Sequence, residues 1–271
     1  NWGYAFTGSS DNGSLSTKTD GTLWAWGHNG YGGSAQNNRT DYSSPVQIPG
    51  TTWRSSYWSI CQGSNQWTCA IKTDGTLWSW GYGMFGQLGT NESGGGMMKS
   101  SPVQVPGTTW NKVSGTVNNP FAIKTDGTLW SWGYNTKGQC GHNDIIHRSS
   151  PVQVPGTTWK EVVGNGFSSA AIKTDGTLWT WGRNTVGQLG NNSQGPGDSA
   201  SRSSPVQIPG TTWNAVRTGY VQTFWANKTD GTLWAWGYNG NGEIGAPSPS
   251  YPSSVSSPVQ IPGTNWKSVQ E

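Results

Sequence analysis

Apolar and polar residues alternate along short stretches of this chain, and each stretch stops at a glycine, a proline or an Asp-Gly pair. A period of two is the mark of a β-strand, whose side chains point to opposite faces in turn. In one segment, Trp159–Gly164 (WKEVVG) reads as a strand and Ser168–Thr174 (SSAAIKT) as a second. Asp175-Gly176 follows and is expected to form a type I′ turn, which needs positive φ at both central residues. Thr177–Trp181 (TLWTW) is a third strand, with Trp179 and Trp181 on one face. Ser204–Ile208 (SPVQI) is a fourth, and its proline suits an outer edge, where a missing N–H is tolerated.

The same pattern recurs. KTDGTLW begins at Lys18, Lys72, Lys124, Lys173 and Lys228, and SSPVQ(I/V)PGT(T/N)W ends at Trp53, Trp110, Trp159, Trp213 and Trp266. The aspartates of the first block are 54, 52, 49 and 55 residues apart. Four antiparallel strands at that period predict propeller blades. The fold class expected is all-β: one β-propeller domain over 1–271 with five four-stranded antiparallel blades. Its repeats fall near 1–52, 53–109, 110–158, 159–212 and 213–265, with a surplus strand at 266–271. That strand either clasps the first blade to shut a five-bladed ring, which is the favoured reading, or marks a cut from a larger ring.

Composition sharpens this picture. With 41 glycines, 19 tryptophans and only 11% charged residues, the chain is neither helical nor disordered. The two blocks and the WG after them hold most of the tryptophans, which makes the aromatic content architectural. A net charge of +3 without clustered Lys or Arg argues against nucleic acid. No apolar run approaches a membrane span.

The run AIKTDGTLWTWGRNTVGQLG (Ala171 to Gly190) resembles the regulator of chromosome condensation repeat family, in which a DG turn and a strand ending in WG precede N-x-x-G-Q-L-G. Variants start at Gly27, Gly81, Gly133 and Gly237, so the resemblance covers essentially the whole chain. It implies a propeller fold, with bacterial and phage-type copies as the best match. The family's exchange activity on a small GTPase is not carried over, because its loops cannot be matched residue by residue. Two departures stand out. A histidine frequent after the first strand's glycine is missing in GSNQW (from Gly63) and GNGFS (from Gly164). The family's usual seven blades are here five.

Candidate chemistry is sparse. His142 and His147 flank Asp144 in one loop, but solvated loop residues are the preferred reading, and no catalytic motif, metal site or cofactor is expected. The repeated Lys and Asp of KTDG are read as turn residues. Cys140 and Cys69 are expected to be buried, and Cys61 and Cys69 face each other across a hairpin centred near Asn65. A disulfide and a pair of free thiols both fit that spacing. Trp130→Ala is expected to cost about 3–5 kcal/mol as a core truncation.

Function is sought where the repeats differ. The residue after each WG is His28, Tyr82, Tyr134, Arg183 or Tyr238, a candidate ring of binding residues of hot-spot type. The longest loops follow, holding Arg39, Tyr42, Met97, Met98, Ile145, Ile146, Arg148, Arg202 and Tyr251. The leading expectation is a non-enzymatic scaffold that binds a protein partner through these loops in a virion, cell-surface or secreted assembly. The alternative is a multivalent lectin, each blade pairing its ring residue with Asn29, Asn135, Asn184 or Asn239 to hold a glycan.

Overall fold

A computed structural model describes residues 1–7, 13–63, 66–219, 222–245 and 253–266. Tyr251, Asn65 and residues 267–271 of the surplus strand lie outside them. Among the described residues, twenty strands form five four-stranded antiparallel sheets, each with its strands in chain order. The first sheet holds β1 (Trp2–Thr7), β2 (Ser14–Lys18), β3 (Leu23–Gly27) and β4 (Tyr42–Ile48); the second β5 (Ile60–Gly63), β6 (Trp67–Ile71), β7 (Leu77–Tyr82) and β8 (Met98–Val105). The third holds β9 (Trp110–Gly115), β10 (Pro120–Lys124), β11 (Leu129–Gly133) and β12 (Arg148–Gln153). The fourth holds β13 (Trp159–Gly164), β14 (Ser168–Lys173), β15 (Leu178–Gly182) and β16 (Arg202–Ile208); the fifth β17 (Trp213–Thr218), β18 (Thr223–Lys228), β19 (Leu233–Tyr238) and β20 (Ser254–Ile261). Each sheet is one blade. Tyr42, Met98, Arg148 and Arg202, expected in loops, instead begin the fourth strands.

The chain divides into two compact units. One is made of residues 1–125, 129–134 and 147–153, and the other of 126–128, 135–146 and 154–271.

The Asp-Gly turn differs from expectation. Lys173 N donates to Thr177 O and Gly176 N to Lys173 O, both at 3.0 Å. Gly176 has φ +78° while Asp175 is not among the positive-φ residues. This is a type I turn closed by a glycine bulge, the three-residue hairpin loop, and not a type I′ turn. Aspartate is therefore there for its carboxylate. Asp175 Oδ1 accepts from Thr177 N (3.0 Å) and Thr177 Oγ1 (2.7 Å), and Thr177 Oγ1 accepts from Trp179 Nε1 (2.9 Å). The relay recurs at Asp20, Asp74 and Asp230. Threonine hydrogen bonds hold all four carboxyls below the ordinary carboxylate range.

The repeated lysine has its own use. Lys173 Nζ lies 4.8 Å from the ring centre of Trp159 and 4.6 Å from that of Trp179, and the other four lysines sit between the matching pairs. Such contacts add about 0.5–1 kcal/mol each at exposed sites.

The second tryptophan of β7, β11, β15 and β19 fastens its blade to the one before it. In the first unit Trp80 Nε1 donates to Gly33 O (2.8 Å) and Trp132 Nε1 to Gln87 O (2.9 Å). In the second unit Trp181 Nε1 donates to Gln139 O (2.8 Å) and Trp236 Nε1 to Gln188 O (3.0 Å). These four indoles are fully buried. Trp130, expected in the core, is only partly buried and packs against it; Trp132, two residues on, is the core residue.

Candidate functional site

Each third strand carries WG at its end or one residue before it, and in four of the five the next residue is anchored to the loop between the first two strands. The backbone fixes this. Tyr82 N donates to Gln66 O, Tyr134 N to Asn118 O, Arg183 N to Phe167 O and Tyr238 N to Gln222 O, over 2.9–3.2 Å. The WG glycine has positive φ (Gly81, +93°), and a Cβ there would run into the Gln66 carbonyl. Four of the five candidate residues are thus held at equivalent backbone anchors, but their side chains diverge.

In the first unit, Tyr82 meets Tyr31 edge-on at 5.0 Å, and its hydroxyl donates to Met84 Sδ at 2.8 Å. Tyr134 meets Phe85 edge-on at 4.8 Å and stacks on His147, also at 4.8 Å. Phe85 and His147 are 5.7 Å apart. The result is an apolar run of two clusters, Tyr31–Tyr82–Met84 and Phe85–Tyr134–His147, which meet where Met84 and Phe85 are consecutive in the chain. Tyr31 is 40% exposed and Met84 39%. Desolvation pushes the His147 imidazole below its usual pKa, so it is neutral at pH 7 and adds a ring rather than a charge. His28 is the remaining candidate of this unit. It is exposed and borders a small recess with Gly13, Ser14, Gln62, Gln66 and Thr68.

In the second unit, Arg183 places its guanidinium carbon 5.7 Å from the Phe167 ring centre. Tyr238 folds back with its hydroxyl against Gly240. The position that carries Tyr31 and Phe85, four residues past the WG glycine, is here Lys137, Val186 and Asn241. Lys137 is ion-paired with Asp198. The apolar run therefore has no counterpart among the described residues of this unit. Sequence reasoning did not single out Tyr31, Met84 and Phe85, and it took His147 for a solvated loop residue. The signal available was the drift at that fourth position.

The asparagines assigned to glycan binding in the lectin reading have other work. Asn29, Asn135, Asn184 and Asn239 are buried, and each Oδ1 accepts the backbone N–H five residues on, at Ser34, Cys140, Leu189 and Ile244. Asn29 Nδ2 donates to Thr40 O, Asn135 Nδ2 to Ile146 O and Asn184 Nδ2 to Ser193 O. These amides knot the loop and are not presented to a ligand.

Asp144 is likewise engaged, accepting from Ile146 N (2.9 Å) and Asn135 Nδ2 (3.1 Å). Among the described residues, no three His, Cys, Asp or Glu side chains come together as a metal set. Cys69 and Cys140 are buried, and Cys61 and Cys69 are free thiols. Ile145 and Ile146 are exposed at 63% and 59%. No described helix is long and apolar enough to cross a membrane.

Four-stranded sheets fastened in series by WG tryptophans define a β-propeller repeat protein. The model of the regulator of chromosome condensation (RCC1) repeat matches residues 74–116, 126–171 and 175–221, and a second model of the repeat matches 159–188. The chain belongs to this family. It is 28% identical over 134 residues to the E3 ubiquitin-protein ligase HERC2 of Homo sapiens, across 49% of this chain and 3% of that protein. It is 28% identical over 137 residues to the ultraviolet-B receptor UVR8 of Arabidopsis thaliana, across 49% of this chain and 30% of the receptor. The structure of Prp20p from Saccharomyces cerevisiae, described with its binding to Gsp1p and histones, superposes with a TM-score of 0.74 at 20% identity. That match covers 94% of this chain and 62% of Prp20p, and at such identity it speaks to the fold alone.

Proposed function

We propose that this chain is a non-catalytic protein-binding scaffold whose partner docks on the apolar run from Tyr31 to His147. The observation that carries the proposal is the pairing of aromatic rings from successive blades, Tyr31 with Tyr82 and Phe85 with Tyr134. Six side chains from three consecutive blades make one partly exposed, uncharged surface, rich in the aromatic types that dominate interface energetics. The surface is also asymmetric within the repeat series, as a single-partner face is and a set of equivalent glycan sites is not. Family membership gives further support, since Prp20p is described as binding Gsp1p and histones. An extracellular, cell-surface or virion setting belongs to the same proposal, supported by the low charge and the polar, uncharged composition.

The test is cross-linking capture with three purified proteins: the native chain, a Phe85→Ala/Tyr134→Ala variant, and a His28→Ala/Arg183→Ala/Tyr238→Ala variant. Circular dichroism confirms that each is folded, and the same proteins are applied to a glycan array. The native chain and the triple variant should capture the same protein, and the Phe85/Tyr134 variant should lose it. Equal capture by the Phe85/Tyr134 variant overturns the proposal. So does glycan binding that vanishes in the triple variant.

A further inference from the structure

The first strand of the second sheet is unlike its four counterparts. Trp110 precedes Gly115 by five residues and Trp159 precedes Gly164 by five, but Trp53 precedes Gly63 by ten. The extra residues form a bulge around a 3-10 turn at Tyr57–Ser59. Ser59 Oγ closes it, donating toward Arg54 O (2.6 Å) and Ser56 O (2.7 Å). Trp53 keeps only an isolated bridge to Lys72, and β5 is left with four residues where β9, β13 and β17 have six. Beside this weakened ladder stand Cys61 and Cys69, direct cross-strand partners with sulfur atoms 2.8 Å apart. The matching pairs elsewhere are Ser114–Phe121, Val163–Ala170 and Arg217–Trp225, none of which can cross-link.

We propose that Cys61 and Cys69 are a thiol–disulfide modification site, joined by a cross-strand disulfide when the folded chain meets a small-molecule disulfide oxidant such as oxidised glutathione. Directly opposed antiparallel residues hold their Cα atoms about 4.5–5.5 Å apart, inside the span that a disulfide requires, so the backbone need not move. Cys69 is fully buried, and burial raises its thiol pKa. Cys61 is only partly buried and is the entry point. Its thiolate attacks one sulfur of the oxidant, forming a mixed disulfide and expelling one small thiolate. Cys69 then gives up its proton and attacks Cys61 Sγ, expelling the second. Two protein thiols are oxidised and one small disulfide is reduced to two thiols. The bond forms under Gly115 of the adjoining blade, where a Cβ would lie 3.4 Å from Cys61 Sγ and 2.5 Å from the Trp67 ring. Its effect is to hold the shortened β5 to β6.

The test incubates the folded chain with oxidised glutathione, blocks remaining thiols under denaturing conditions, and digests with trypsin. Cleavage after Arg54 and Lys72 releases one peptide, residues 55–72, that contains Cys61 and Cys69 but not Cys140. The expected peptide is unalkylated, lighter by two hydrogens, and restored by reductant. A Cys69→Ser variant should stop at the mixed disulfide on Cys61. A Cys61→Ser variant should modify Cys69 at least about tenfold more slowly than the native chain, since buried thiols are inert. Doubly alkylated peptide after oxidation overturns the proposal, as does a glutathione adduct that persists on Cys61 of the native chain. Disulfide-linked dimers, or oxidation only in denaturant, overturn it equally.

Discussion

Trp130 and Trp132 lie two residues apart on β11, on one face, yet the structure gives them different weights. Trp132 is fully buried, donates to the Gln87 carbonyl and stands 6.3 Å from Trp110. A buried tryptophan removes about 150–250 Å² from water, and core Trp→Ala changes cost about 3–5 kcal/mol. Truncation also takes a donor from a buried carbonyl, worth about 1 kcal/mol. Trp132→Ala should therefore cost about 4–5 kcal/mol. Trp130 keeps part of its ring in water and packs on Trp110 with Lys124 Nζ 4.4 Å from its centre. Its transfer energy scales down with exposure, and the cation–π contact returns about 0.5–1 kcal/mol. Trp130→Ala should cost about 2–3 kcal/mol, less than the sequence alone suggested. Urea unfolding followed by circular dichroism decides the matter, each loss taken from the midpoint shift and a shared slope. Equal losses, or a larger one for Trp130, would refute the division of the strand into a core position and a covering position.

Lys173→Met keeps the aliphatic stem between Trp159 and Trp179 but discards the charge, and should lower stability by about 1 kcal/mol in the same titration; an unchanged midpoint would mean the lysine only fills space. The lowered carboxyls of Asp20, Asp74, Asp175 and Asp230 give an acid-sensitive term. The unfolded chain takes up these protons at higher pH than the folded one, so stability is full above the ordinary carboxylate pKa and falls as pH drops through the folded values. Urea midpoints from about pH 6 to about pH 3 should decline, and the four-fold Asp→Asn variant should flatten that slope. In the second unit, buried Glu161 accepts from Arg217 Nη1 (2.6 Å) and Val216 N (2.8 Å). Arg217→Met leaves that carboxylate without its cation and should cost about 3–5 kcal/mol, while Glu161→Met/Arg217→Met should recover much of the loss; a double variant no better than the single would contradict this reading.

The strands were legible because their signal is local. Alternation, punctuated by Asp-Gly and Pro-Gly, places β13 to β15 within a residue of their observed ends. The turn type was misread because Asp-Gly serves two hairpin geometries, and the choice depends on whether Asp175 offers its backbone or its carboxylate. The asparagines were misread for a similar reason. A polar residue beside a candidate site looks available until the N–H groups five residues away are known to need it. The pairing of Tyr134 with Phe85 lay beyond a single repeat, because it joins position one past WG in one blade to position four past WG in the blade before. The bulge at Tyr57–Ser59 was within reach of the sequence, in the ten-residue spacing from Trp53 to Gly63.

What repeats in this chain is engaged by the fold. Each KTDG lysine faces two indoles, the carboxyls of Asp20, Asp74, Asp175 and Asp230 are held low by their threonines, and the loop asparagines bind their own backbone. Groups satisfied in this way gain little from a ligand, because binding would first have to break the internal bond. The repeated positions are thus accounted for by the fold, and the drifting ones are not. Tyr31 and Phe85 stand where later repeats carry Lys137, Val186 and Asn241, so no blade needs an aromatic ring there to fold. An aromatic side chain that the architecture does not require, left partly in water and packed on its neighbour's aromatic, is the kind of residue a binding surface is made from. On the proposed docking surface the aromatic rings therefore fall at positions the repeats do not share, in the first three blades.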